Sequence, residues 1–123
     1  MKIYEIPDKF VQQWNPEVRA IIDTVYDYNI SLTEFKNVVM INGLNFARAN
    51  NAHAWIVDSS FAKGEFSPEI QKYITHEVFP AFILKGIYYF LTINSKIASS
   101  TRKTVNEFKT SANLRGLQQI EVV

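Results

Sequence analysis

The chain has no cysteine among its 123 residues. That excludes a disulfide framework, a thiolate metal site and a cysteine nucleophile. Glycine is scarce, with four residues at 43, 64, 86 and 116. None belongs to a G-x-G-x-x-G or Walker A pattern, so a phosphate-cradling loop is excluded as well. The two histidines, His53 and His76, lie on different segments, and no His/Asp/Glu spacing around them suits a metal. Charge of one sign is missing: 13 basic and 12 acidic residues leave a formal net charge of +1. Basic residues cluster only weakly, at Arg102-Lys103, which gives no electrostatic footprint for nucleic acid. No apolar run approaches a membrane span. Glu5, Pro7, Asp8 and Lys9 interrupt the stretch where a secretory signal would need its apolar core. The expectations are a cytoplasmic location, no cofactor and no nucleic-acid partner.

What is abundant is apolar and aromatic. Hydrophobic residues make up 47% of the chain and charged ones 20%, the balance of a globular protein rather than a disordered one. Nine Phe, six Tyr and two Trp predict an aromatic-rich core, since each ring buries a large area. The length suits one domain over 1–123.

The most informative stretch is Ala54–Pro68, AWIVDSSFAKGEFSP. A short apolar run ends at Asp58, two serines follow, and Ser67-Pro68-Glu69 opens a helix as N-cap, first-turn proline and first-turn acid. This is the pattern of a buried parallel strand feeding a helix, with polar residues at the strand's carboxyl end. Before it, Phe10–Trp14 and Glu17–Val25 flank the turn signal Asn15-Pro16-Glu17 and predict an antiparallel hairpin. Ser31-Leu32-Thr33-Glu34 is a capping box, and Phe35, Val38, Val39, Leu44 and Phe46 or Ala47 follow at helical spacing up to Asn50-Asn51. After Pro68 the inner face of the second helix is Ile70, Tyr73 or Ile74, Val78, Ala81 and Phe82. Pro80 is expected to kink or break it before Gly86. Ile87–Ile93 reads as a central strand covered on both faces. A third helix from about Ser95 carries Ile97, Thr101, Val105 and Phe108, and Leu117–Val123 is the last strand. The predicted order is ββαβαβαβ, an α/β fold with a five-stranded, mixed, mostly parallel sheet and helices packed against it. No internal repeat is visible.

Trp14-Asn15-Pro16-Glu17, the capped helix at Ser31–Glu34, Trp55-Ile56-Val57-Asp58, Phe66-Ser67-Pro68-Glu69, Glu77-Val78-Phe79-Pro80 and Lys85-Gly86 together resemble the STAS-like family of small bacterial proteins. The likeness is to a Bacteroidetes-type branch and covers residues from about 10 to 123. The resemblance implies a fold shared with anti-sigma-factor antagonists, sulfate-transporter tails and CRAL-TRIO lipid-binding domains. It also implies a regulatory module that exchanges protein partners, with a serine as phosphoacceptor. The antagonists carry that serine in an Asp-Ser-Ser-Gly motif at a helix start. Here Asp58-Ser59-Ser60 ends in Phe61, and the helix start is Ser67-Pro68.

Each candidate also has a plain structural duty. Asp58 and one serine can close the turn, and Ser67 can serve only as a helix cap. Ser59, His76 and Asp58 could be drawn as a triad, but no Gly-x-Ser-x-Gly elbow presents the serine. An enzyme is not expected. The favoured reading is a non-catalytic interaction module that docks a protein through Asp58, Ser59, Ser60, Lys63 and Ser67. The alternative is a carrier of a small apolar or lipid-like ligand beside Trp55, Tyr88 and Phe90. An exposed sheet edge would allow a homodimer.

Overall fold

The computed structural model describes residues 1–122, with 119–122 described by their backbone alone. Six strands form one sheet in the order β1-β2-β3-β4-β5-β6. β1 (Lys2–Ile6), β2 (Phe10–Asn15) and β3 (Ala20–Val25) pair antiparallel. β3, β4 (Ala54–Asp58), β5 (Tyr89–Ile93) and β6 (Gln118–Val122) pair parallel. The five expected strands are all present, although Val123 lies outside the described residues. β1 is an addition. The irregular register between Lys2 and Tyr4 breaks its alternation, and exposed Lys2 and Glu5 pair with each other at 2.8 Å. A bulge and charged side chains are usual protections of an edge strand.

Three helical runs join the parallel strands. The first comprises α1 (Leu32–Lys36), a π-helical stretch (Asn37–Gly43) and α2 (Leu44–Ala49). The second comprises α3 (Pro68–Tyr73), a π-helical turn (Ile74–Val78) and α4 (Phe79–Leu84); the third is α5 (Ser99–Leu114). Ser31 and Glu34 form the full capping box and Ser67 caps α3, as expected. Pro80 neither kinks nor ends its run. The turn before it widens so that Phe79 N–H donates to Ile74 O, which makes room for a residue that has no N–H and whose ring crowds the preceding turn. Ile97 is not on a helix face: α5 begins only at Ser99, and Ile97 stands exposed ahead of it.

All three runs cover the same face of the sheet. Ile21, Trp55 and Phe90 are in register on β3, β4 and β5 and are buried. Trp55 stacks on Phe82 of α4 with ring centroids 4.5 Å apart. Phe90 meets Phe79 of α4 at 5.2 Å and Phe108 of α5 at 5.9 Å. Trp14 of β2 meets Phe46 of α2 at 5.5 Å. Edge-to-face and offset ring pairs add to the gain from area burial. Residues on the opposite face, Ile22, Ile56 and Leu91 among them, are only half-buried. Ile87–Ile93 is therefore a central strand covered on one face rather than two.

The helices also end alike, a repeat invisible in the residues themselves. Ala52, Ile87 and Leu117 are buried, and each donates its N–H to the carbonyl five positions back, Ala47, Phe82 and Ala112 respectively. Before each stands a residue with positive φ: Asn51, Gly86 and Gly116. This is the Schellman stop, in which a left-handed residue turns the chain and an apolar one seals the end. Each time the next residue joins the preceding strand: His53 N–H to Arg19 O, Tyr88 to His53 O, Gln118 to Tyr88 O. The chain climbs by identical steps.

Gly43 marks the closest approach of helix to sheet. A Cβ there would lie 2.6 Å from Trp55 Cη2 and 2.7 Å from Gln12 Nε2. Gly43→Ala is expected to destabilise the protein by about 1–3 kcal/mol through overpacking, outweighing the ~1 kcal/mol that alanine gains in helix propensity. Urea denaturation checks this, and a gain in stability would show that the helix can lift off the sheet.

Candidate functional site

Two places concentrate polar chemistry: the interior beneath the helices and the carboxyl edge of the parallel strands.

In the interior, Asp23 of β3 faces the helices because it shares strand parity with Ile21 and Val25. It is 3% exposed. Its Oδ1 accepts from Gln12 Nε2 at 2.9 Å and its Oδ2 from Trp55 Nε1 at 2.8 Å. Burial pushes the carboxyl up from its ordinary 3.8 to about 6, while the Trp55 and Gln12 bonds pull it partly back. Burial wins because the charged form loses its hydration and regains only two donors. The other end of the Gln12 amide, Oε1, is buried without a hydrogen-bond partner among the described residues. Close by, the Tyr28 hydroxyl and Ser59 Oγ lie 2.5 Å apart, both groups fully buried. Burial raises the Tyr28 phenol far above its usual range, so it stays protonated. Asp23 and Tyr28 border a cavity of about 40 Å³ whose other walls include Phe66, Phe79, Phe90 and Trp55.

That cavity has room for two or three waters at about 10–15 Å³ apiece. It does not fit a lipid-like ligand. Of the residues expected to line a ligand pocket, Trp55 and Phe90 are in its wall, but Tyr88 is 51% exposed and lies outside it. Asp23 was missed in the sequence because a lone acid in AIIDTV reads as a solvent-facing position. The bridging partners, Gln12 and Trp55, stand 11 and 32 residues away.

At the carboxyl edge the structure brings Asp58, Ser60 and Lys63 together in one loop system. Asp58 Oδ1 accepts from Ser60 N–H at 3.0 Å and from Ser60 Oγ at 2.6 Å, closing the turn after β4. Ser59 is turned inward and is 0% exposed. Lys63 is exposed, and its backbone ties loops together: its N–H donates to Tyr26 O at 3.1 Å and its carbonyl accepts from Tyr28 at 2.9 Å. Ser67 is exposed, with its Oγ accepting from Ile70 N–H at 3.2 Å. Ser95 Oγ donates to Ala62 O at 2.8 Å, and Thr101 Oγ1 to Gly64 O at 2.5 Å. Lys96 N–H donates to Ser60 O at 2.9 Å. The loops after β3, β4 and β5 thus form one bonded surface.

That surface carries residues whose exposure the sequence did not foretell. Tyr26, Phe61 and Ile97, one on each of the three loops, are 44%, 68% and 61% exposed. A large apolar side chain in such a loop looks the same in sequence whether it turns inward, as Phe66 does, or outward. His76 is exposed on the second helical run, within 3.5 Å of Arg115, and makes no contact with Ser59 or Asp58. Among the described residues no group of three His, Cys, Asp or Glu could hold a metal, and no helix is long and apolar enough to cross a membrane.

No family model matches the chain, and neither a curated protein nor a solved structure matches it.

The raised Asp23 carboxyl sets the pH dependence of stability. Between about 4 and 6 the unfolded chain has lost this proton while the folded one still holds it. Asp23's contribution is therefore full below 3.8 and falls as pH rises through about 6, by up to roughly 3 kcal/mol. Asp23→Asn is expected to remove this fall from urea-denaturation profiles; an unchanged slope would place the titration elsewhere. Tyr28→Phe leaves Ser59 Oγ without its partner in the interior and is expected to cost about 1–2 kcal/mol. Thermal unfolding reads that loss.

Proposed function

We propose that this chain is a STAS-like, non-catalytic interaction module that docks a protein partner on the carboxyl edge of its parallel strands. One observation carries the reading: Tyr26, Phe61 and Ile97 are exposed on three successive loops that hydrogen bonds hold together. Their side chains add nothing to the core, while a protein interface needs apolar anchors within a polar rim. Asp58, Ser60, Lys63 and Ser67 supply that rim. The same edge is where open α/β sheets usually bind. A sheet climbed by repeated strand–helix steps, with all helices on one face, is in keeping with the STAS-like reading. Ser59 has a structural part here, bonded to Tyr28 in the interior.

The carrier reading finds less support. The interior cavity is about 40 Å³, far below the several hundred that small-molecule pockets usually occupy.

The test is affinity capture from the host with the intact protein and two triple variants. One removes the carboxyl-edge anchors (Tyr26→Ser, Phe61→Ser, Ile97→Ser). The other removes exposed residues at the opposite end (Val18→Ser, Leu84→Ser, Leu114→Ser). Both sets are more than 40% exposed at every position, so melting temperatures are expected to stay within a few degrees. A partner lost with the first variant and kept with the second supports the proposal. A partner kept with the first and lost with the second moves the interface to the other end.

A further inference from the structure

The parallel part of the sheet has a face that no helix covers. Twelve positions of β2 to β5 point to it: Val11, Gln13 and Asn15; Ala20, Ile22 and Thr24; Ala54, Ile56 and Asp58; Tyr89, Leu91 and Ile93. Asp58 is the one charged residue among them, and it lies at the carboxyl end with Oδ1 engaged by Ser60. Ile22, Ile56 and Leu91 are in register across the middle, each half-buried only by its neighbours within the sheet. A sheet face meant for water alternates in charged and polar residues, and parallel strands are almost always covered on both faces. This face has the composition of an interior.

We propose that the open sheet face is the interface of a homodimer, with two copies packed sheet on sheet about a two-fold axis near Ile56. The absence of charge argues for a second copy over a foreign partner. A face that selects another protein does so through complementary charges and hydrogen-bonding groups, whereas an uncharged face meets its own copy with no like-charge clash. Size agrees. Six strands at about 4.8 Å spacing and five residues at about 3.3 Å give a face of roughly 17 by 29 Å. Two such faces bury about 1,000 Å² or more, at the lower bound for a specific interface. Aligned sheets pack about 10 Å apart with interdigitating side chains, which Ile22, Ile56 and Leu91 can supply and Tyr89 can flank. The carboxyl edges remain free at the ends of both sheets, so the dimer does not depend on the function proposed above.

Sedimentation equilibrium of the full chain, run up to several hundred micromolar, tests this together with Ile56→Lys. The wild-type protein is expected to approach twice its 14.2 kDa mass. Ile56→Lys should sediment as a monomer at every concentration, because it places two cations at the axis. Since the chain has no cysteine, Ile56→Cys gives a second reading that needs no disruption. It should form a disulfide-linked dimer on mild oxidation, while Val18→Cys, exposed in the β2–β3 turn, should not. A wild-type monomer throughout the range overturns the proposal. So does a dimer that survives Ile56→Lys, or one cross-linked by Val18→Cys and not by Ile56→Cys.

Discussion

The interaction on which the rest of this structure depends is the one at Asp23. A carboxyl group 3% exposed can persist only if the donors around it are fixed, and here they come from both neighbouring strands. Gln12 reaches across from β2 and Trp55 from β4, so the bonds span the junction where antiparallel pairing gives way to parallel. With its indole held by Asp23, Trp55 presents one side to Phe82 and another to Gly43. The first two helical runs are thereby seated on the sheet at a set height. A one-residue slip of β3 would turn Asp23 out to solvent and its neighbours in. The acid therefore enforces register more than it adds stability, since a buried polar cluster is costly whenever any member loses its partner.

From this fixed layer the two surfaces follow. Right-handed crossovers that always move to the next strand place every helix on one side. One face of the sheet is then packed with aromatic rings and the other is left bare. The bare face is apolar because its strands are central and parallel, and the edges are polar because the loops carry the turn chemistry. Hydrogen bonds among the loops after β3, β4 and β5 make the carboxyl edge a continuous platform. The helix ends at the other edge are sealed by the same stop three times.

Much of this was legible in the sequence. The α/β class, the five strands from Phe10 onward and the caps at Ser31 and Ser67 follow from local signals with a local cause: capping boxes, a first-turn proline and β-branched runs. The polar carboxyl end of β4 was likewise visible in Asp58-Ser59-Ser60. Other features depend on partners distant in sequence. β1 is short, bulged and charged, so its pattern does not separate it from a leader segment. Asp23 looks like a surface residue until Gln12 and Trp55 are placed beside it. Ser59 and Ser60 are chemically identical neighbours, and strand parity alone sends one into the core and leaves the other on the turn. Phe66 and Phe61 differ in the same way. The repeated helix stop is hidden because it rests on backbone conformation, which Asn51 adopts as readily as Gly86 and Gly116.

Hydrogen exchange at the Trp55 indole, followed by NMR, tests the central claim most directly. With its Nε1–H bonded to a buried carboxylate at 2.8 Å, that proton should exchange only when the whole sheet unfolds. Its protection should match that of the slowest β3 and β4 amides and far exceed that of the half-buried Trp14 indole. Rapid exchange at Trp55 beside protected β3 and β4 amides would contradict the account, for it would mean that the sheet holds together without the Asp23 lock.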